Sequence, residues 1–377
     1  MHNFLIYFAP FASNYESPWY SSGGNTKIKQ SLNIFSNIFN SVLYVNFCPK
    51  ENKEIIKTTV NICTSFSLFV YPFEILFSFY YLRKKIDKKN KNIILVVYNP
   101  RFTSLIFFIS ALISGYKPFL IIQMEDIPGA RNRRKNFAFV DRLSLKILSK
   151  FAKHILFASP GMIKNYNELH AGNKNTSVYP PCLTKEYINT IRDRDEPFKN
   201  DFIKIMYAGG YSEEKGIFDL IEGYRKSNLL NSNLNIYGNF PQDIKKLYSK
   251  DKSIIFHDFV TDNKLYMAYA NSDIVVNPHK KIENNNFIFP FKNIEIFSSG
   301  ALPLVSYHSI LGFEELNIEN LCVYRDTEEL SLMIRNCRSI WNKNKKQFQK
   351  SANKFIKKYS EERICTNLNT IFENINN

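Results

Sequence analysis

Short apolar runs alternate with helical segments along nearly the whole chain, and few folds accept that alternation. Residues 93–98 read Ile-Ile-Leu-Val-Val-Tyr. A continuous run of this kind is expected of a strand covered on both faces. Asn99-Pro100 ends it, a helix is predicted over 103–114, and Gly115 leads into a strand over 119–123. Further strands are predicted at 4–8, 42–47 and 154–158, and a helix at 138–151. The second half repeats the logic, with strands at 204–208, 234–237, 254–256, 273–277, 302–306 and 321–324. Ile217, Leu220, Ile221 and Tyr224 mark one face of a helix predicted to start at Glu213. Strands separated by helices imply parallel sheets, and two such series imply two doubly wound α/β domains.

The length of 377 residues also suits two domains, and 45% hydrophobic residues can fill two cores. We expect a first domain over 1–185, an irregular linker over 186–200, a second domain over 201–350 and a terminal helix over 351–377. Cys48, Cys63, Cys182, Cys322, Cys337 and Cys365 are scattered without a Cys-x-x-Cys pair. That argues against a disulfide scaffold or zinc site and fits a reducing cytoplasm. The first ten residues lack a basic region and a small-residue cleavage site, so they read as a strand. Residues 60–82 are apolar but contain Pro72 and Glu74. A strand at 60–63 and a buried helix at 72–82 account for them better than a membrane span.

The net charge of +16 is unevenly placed. Residues 1–199 carry 27 Lys and Arg against 13 Asp and Glu. The excess concentrates in Arg83-Lys84-Lys85, Lys88-Lys89, Lys91 and in Arg131, Arg133, Arg134 and Lys135. Such a surface attracts anionic lipid head groups or an anionic acceptor. No motif that reads nucleic acid accompanies it, so nucleic acid is not expected as a partner.

Four stretches carry candidate chemistry. In 287–305, Pro290 suits a first helical position, Gly300 a helix stop, and 302–305 a buried strand. The amides of Phe291 and Lys292 would then seat a phosphate, and Glu295, one turn on, could reach ribose hydroxyls. Gly23-Gly24, between the first strand and helix, would let backbone approach a ligand. Glu125-Asp126 follow a strand at the edge where open sheets bind ligands. They are candidates for acceptor binding or proton removal, or else a helix-capping pair or one salt-bridged to the arginines that follow. Tyr207-Ala208-Gly209-Gly210 and Lys215-Gly216 follow the first strand of the second half. The six histidines show no His-x-x-x-His spacing, so no metal is expected. His279, just past a strand, reads as structural.

Pro290, Lys292, Glu295, Gly300, Pro303 and Val305 resemble the donor signature of family 4 glycosyltransferases, a GT-B family. Lys215 and Gly216 resemble its Gly-Arg…Lys-Gly stretch, with Gly210 where the family has arginine. Phe287 stands where many members have a first glutamate. The resemblance implies two Rossmann-like domains facing a central cleft, with the terminal helix crossing back. It implies sugar transfer from a nucleotide sugar, the only co-substrate and no other cofactor, with retention and without metal. The donor would touch Gly23, Gly24, Gly209, Lys215, Phe291, Lys292 and Glu295. Lys215 would stabilise the leaving diphosphate, helped by Lys292 or Arg225, and Glu125 or Asp126 would serve the acceptor. That acceptor would be a lipid-linked sugar or surface polysaccharide of capsule or O-antigen type, met at the cytoplasmic face of a bacterial membrane. The rivals are a degenerate scaffold subunit and a sugar-nucleotide 2-epimerase.

Overall fold

The computed structural model describes residues 4–13, 22–48, 55, 58–61, 70–82, 86, 92–126, 138–169, 175–280, 291–310 and 322–376. Pro290, Phe287 and the basic stretches 83–85, 88–91 and 131–135 lie outside the described residues. The chain divides into two compact units. One comprises Met1–Pro181 with Ile364–Asn377, the other Cys182–Arg363.

The first unit is built on strands β1 (Phe4–Ala9), β2 (Ser41–Asn46), β3 (Thr59–Asn61), β4 (Asn92–Tyr98), β5 (Lys117–Met124), β6 (His154–Phe157) and β7 (Thr176–Val178). They form one sheet in the order β3-β2-β1-β4-β5-β6-β7. Every pairing is parallel, with Phe8 opposite both Val45 and Val97. The order reverses between β1 and β4, the position where doubly wound sheets bind ligands. Helices α1 (Ser22–Ile38), α2 (Val70–Leu82), α3 (Phe102–Ile113), α4 (Ala138–Phe151) and α5 (Pro160–Leu169) connect the strands. Phe8 stacks between Phe47 (4.4 Å) and Phe107 (4.2 Å), tying the sheet to α3. Ser159 accepts from the Met162 amide (3.2 Å) and so starts α5.

The second unit holds α6 (Lys185–Arg192), β8 (Ile203–Ala208), α7 (Ile217–Ser227), β9 (Ser232–Tyr237), α8 (Gln242–Tyr248), β10 (Ile254–His257) and α9 (Asp262–Ala270). Then come β11 (Ile274–Asn277), α10 (Phe291–Ser298), β12 (Leu302–Ser306), β13 (Val323–Tyr324), and helices α11 (Thr327–Arg335) and α12 (Cys337–Tyr359). The last helix, α13 (Glu361–Asn376), belongs to the first unit from Ile364 on. The second unit's sheet runs β10-β9-β8-β11-β12-β13, again parallel, and reverses between β8 and β11. Pro303 lies inside that sheet, paired in register with Val275. Gly300 sits at φ +74°, so the helix stops there without a Cβ penalty.

The structure departs from the sequence reading in five places. Gly23 and Gly24 lie in the first turn of α1, not in a connecting loop. The helix predicted from Glu213 begins at Ile217, because Glu213–Lys215 form a 3₁₀ turn closed by left-handed Gly216 (φ +64°). The segment expected as an irregular linker contains α6. Thr184 caps it by accepting from Tyr187 N, and Tyr187, Ile188 and Ile191 bury one face in the second unit. The terminal segment is two helices that break at Ser360, where ψ turns extended. Phe372 of the last helix packs edge-on against Phe35 of α1 (6.0 Å) and Phe39 just beyond it (4.9 Å). Finally α2, expected to be buried, leaves Phe73, Phe77 and Tyr80 exposed. Among the described residues no helix is long and apolar enough to cross a membrane.

Candidate functional site

Three chain segments meet at the carboxyl edge of the second sheet, where β8 and β11 diverge. They are the turn 209–216, residues 278–280, and the first turn of α10. The contact between the first two is close. A Cβ on Gly216 would stand 1.8 Å from the Pro278 carbonyl oxygen, so only glycine lets the strands' loops touch here. The Lys280 amide donates to the Glu214 carbonyl (2.9 Å), and Lys280 Nζ pairs with Asp219 (3.0 Å). Gly209 is equally confined. Its amide donates to Tyr237 O (2.8 Å), and an added Cβ would lie 2.2 Å from Tyr207 Oη. Gly210, by contrast, is exposed and has open space around it.

This packing sets Lys215 beside His279, with Nζ 3.1 Å from Nε2. An ammonium can only donate, so Nε2 accepts and the imidazole is neutral, its Nδ1 donating to Lys280 O (3.1 Å). Burial, and then the charge of Lys215, lower the His279 pKa to about 4. His279 read as structural in the sequence; here it contacts the lysine of the Lys215-Gly216 stretch.

Helix α10 brings the second pair. Lys292 Nζ donates to the Ala208 carbonyl and lies 5.4 Å from the Tyr207 ring centroid. Burial, reinforced by Lys215, lowers its pKa to about 7, against the pull of Glu295. Glu295 Oε2 accepts from Tyr269 Oη (3.1 Å). Burial raises its pKa to about 7, opposed by Lys292 and by that hydrogen bond. The helix is fixed from behind by buried polar contacts. Tyr187 Oη donates to Glu295 O (2.6 Å), Asn277 Nδ2 to Asn293 Oδ1 (2.6 Å), and Asn293 Nδ2 to Ser309 O (2.6 Å). Phe291 opens the helix, so its amide and that of Lys292 belong to the first turn, whose N–H groups have no helical acceptor. The edge thus offers an ammonium, free helix amides and a carboxyl within one half-buried patch: a seat for an anion beside a hydroxyl-binding group.

Arg225 does not join it. That guanidinium pairs with Asp251 (3.0 Å) and lies over Tyr248 (5.0 Å).

The remaining candidates belong to the first unit. Gly23 is exposed and Gly24 half-buried in the first turn of α1. Glu125 and Asp126 follow β5, and both their amides donate to Asn99 Oδ1 (2.7 and 3.1 Å). Glu125 is tied to Lys27 of α1, Oε1 to Nζ 3.6 Å, with Lys27 only 3% exposed. Lys27 also donates to Tyr179 O (3.2 Å) and Pro180 O (2.7 Å) and covers the Tyr179 ring. Burial raises the Glu125 pKa, opposed by Lys27 and by the Gln123 amide, which donates to it (3.3 Å). The salt-bridge alternative thus fits Glu125, whose partner among the described residues is Lys27. Sequence reasoning missed Lys27, Gln123 and Tyr269. None of them sits in a motif, and each meets its partner only through the fold.

No protein-family model matches the chain, and no curated protein matches it. Solved structures do. A glycosyltransferase from Rickettsia africae superposes with TM-score 0.74 at 15% identity, covering 99% of this chain and 98% of that one. HepE from Anabaena superposes at 0.73 and 14%, covering 99% and 100%. Sucrose-phosphate synthase from Thermosynechococcus elongatus superposes at 0.69 and 11%, covering 99% of each. The fold is GT-B. Both doubly wound units are accounted for, since coverage runs the full length of either chain. HepE has been solved with UDP, with UDP and glucose, and with UDP-glucose.

Proposed function

We propose that the protein is a glycosyltransferase of the family 4 type, moving a hexosyl group from a nucleotide sugar to a lipid-linked sugar or surface polysaccharide. The observation that carries this is the grouping of Lys215, His279, Lys292 and Glu295 with the α10 amides at the β8/β11 switch point. Doubly wound sheets bind nucleotides at that edge. The GT-B neighbour HepE, solved with UDP-glucose, supports the same class of donor. The setting would be the cytoplasmic face of a bacterial membrane, in capsule or O-antigen assembly.

In this reading the diphosphate sits on Lys215 and on the amides of Phe291 and Lys292. As the sugar–phosphate bond breaks, negative charge grows on the leaving oxygen, and preorganised donors stabilise it most at that moment. Lys215 is held ready by neutral His279, so it need not reorganise. Glu295 accepts from the ribose hydroxyls in its ionised form. Gly209 lets the donor backbone edge approach closely. The acceptor hydroxyl attacks the same face, which gives retention without a metal. Gly23 and Gly24 would face the donor, and Glu125 or Asp126 would serve the acceptor.

The test is calorimetric titration of the whole protein with UDP-, GDP- and ADP-sugars and the free diphosphates. Binding of one nucleotide class, followed by transfer to a lipid-linked acceptor, is expected. Absence of binding to every member of the panel would overturn the transferase reading.

A further inference from the structure

The helices α2, α3 and α4 lie side by side on the first sheet. Ser110 of α3 donates to Leu76 O of α2, and Phe79 of α2 packs on Phe107 of α3 at 5.3 Å. On the other side the Phe102 amide donates to Asp141 of α4 (3.2 Å), and Phe108 meets Phe151 at 5.5 Å. The sheet-facing sides of these helices are apolar, as doubly wound packing requires. Their outer sides are apolar too. Phe73 and Phe77 of α2 are 61% and 57% exposed, Ile113 of α3 is 76% exposed, and Phe139 of α4 is 77% exposed. Helix α3 contains no charged residue, and a helix apolar all round belongs in an interior or against another apolar phase.

A continuous apolar face over three helices is more than the scattered apolar residues of an ordinary surface. Its charge identifies the occupant. Every exposed charged side chain described on these helices is basic: Arg142, Lys146 and Lys150. They fall at helical spacing with Phe139 and Leu143, so cations and apolar groups share one side of α4. The acidic side chains there are turned in: Asp141 is buried and Glu74 half-buried. Aromatic and aliphatic groups that enter an acyl boundary, beside lysine and arginine that reach phosphate head groups, match an anionic bilayer.

We infer that the outer face of α2, α3 and α4 docks on an anionic phospholipid membrane. This specifies the surface behind the membrane setting above, yet it needs no donor site. It can therefore fail or hold independently of the transferase reading.

The experiment is flotation of the full chain with vesicles of phosphatidylcholine alone, or with a third phosphatidylglycerol, without nucleotide. The wild type binds the anionic vesicles and much less of the neutral ones. Ile113→Gln/Phe139→Gln and Arg142→Glu/Lys146→Glu each weaken binding roughly tenfold or more. Leu230→Gln, an exposed leucine of the second unit, leaves it unchanged. All substituted side chains are exposed, so thermal melts should match the wild type. No binding by the wild type, equal binding of both vesicle types, or variants that bind normally would overturn the inference. A dimer in sedimentation that these variants dissolve, without vesicle binding, would overturn it in favour of a self-association face.

Discussion

Replacing Lys215 by methionine separates the proposed donor site from an ordinary surface turn. The side chain keeps its length but loses the ammonium that stands 3.1 Å from His279 Nε2. If that ammonium meets the diphosphate, its loss removes one charge-assisted hydrogen bond, worth about 1.5–3 kcal/mol. Affinity for the bound nucleoside diphosphate then falls about 10- to 150-fold, since 1.4 kcal/mol is tenfold. A second readout follows from the same geometry. Burial is the first cause of the low His279 pKa and Lys215 the second, holding it at about 4. In Lys215→Met the imidazole must titrate higher, while staying below 6.5 because burial and Lys292 persist. Calorimetry measures the first effect and NMR of the imidazole the second. Unchanged affinity would refute the anion seat. An unchanged titration midpoint would refute the Lys215–His279 contact itself.

Further predictions concern the supports of the site. Gly216→Ala forces a Cβ to within 1.8 Å of the Pro278 carbonyl at φ +64°, and should cost the second unit about 2–4 kcal/mol, read from denaturant unfolding. Gly210→Arg enters open space and supplies a further cation, so diphosphate binding should tighten by about tenfold in calorimetry. Glu295, raised to about 7, favours the protonated fold, so its contribution to stability declines as pH rises from about 4.5 to 7. Lys292, lowered to about 7, disfavours the charged fold, so its contribution grows from about pH 7 to 10.5. Melting curves against pH should lose the first slope in Glu295→Gln and the second in Lys292→Met. Lys27→Met leaves the Glu125 carboxyl buried without its cation and should destabilise the first unit by about 3–5 kcal/mol. Lys27→Met/Glu125→Leu should recover most of that loss in the same unfolding assay.

What was legible in the sequence was local. Gly300, the apolar run at 302–305 and the periodicity of Ile217, Leu220, Ile221 and Tyr224 each announce an element through its own backbone and side-chain preferences. They locate α10, β12 and the body of α7, and so Glu295 and Lys292 on their helix. The start of α7 was misplaced because Gly216 is fixed by the Pro278 carbonyl, 62 positions away in the chain. Lys27 pairs with Glu125 across 98 positions, and nothing near either residue signals the other. The helix 185–192 was hidden by its charges, although Tyr187, Ile188 and Ile191 already lay on one face. Helix α2 was expected to be buried because apolar periodicity cannot say which of two apolar sides meets the sheet. The outer side is the one left exposed.

The most direct test of the donor site is a crystal structure of the protein with its preferred nucleoside diphosphate. The account predicts the terminal phosphate on Lys215 Nζ and the amides of Phe291 and Lys292, with the ribose hydroxyls on Glu295. A nucleotide bound anywhere other than the β8/β11 edge would contradict it.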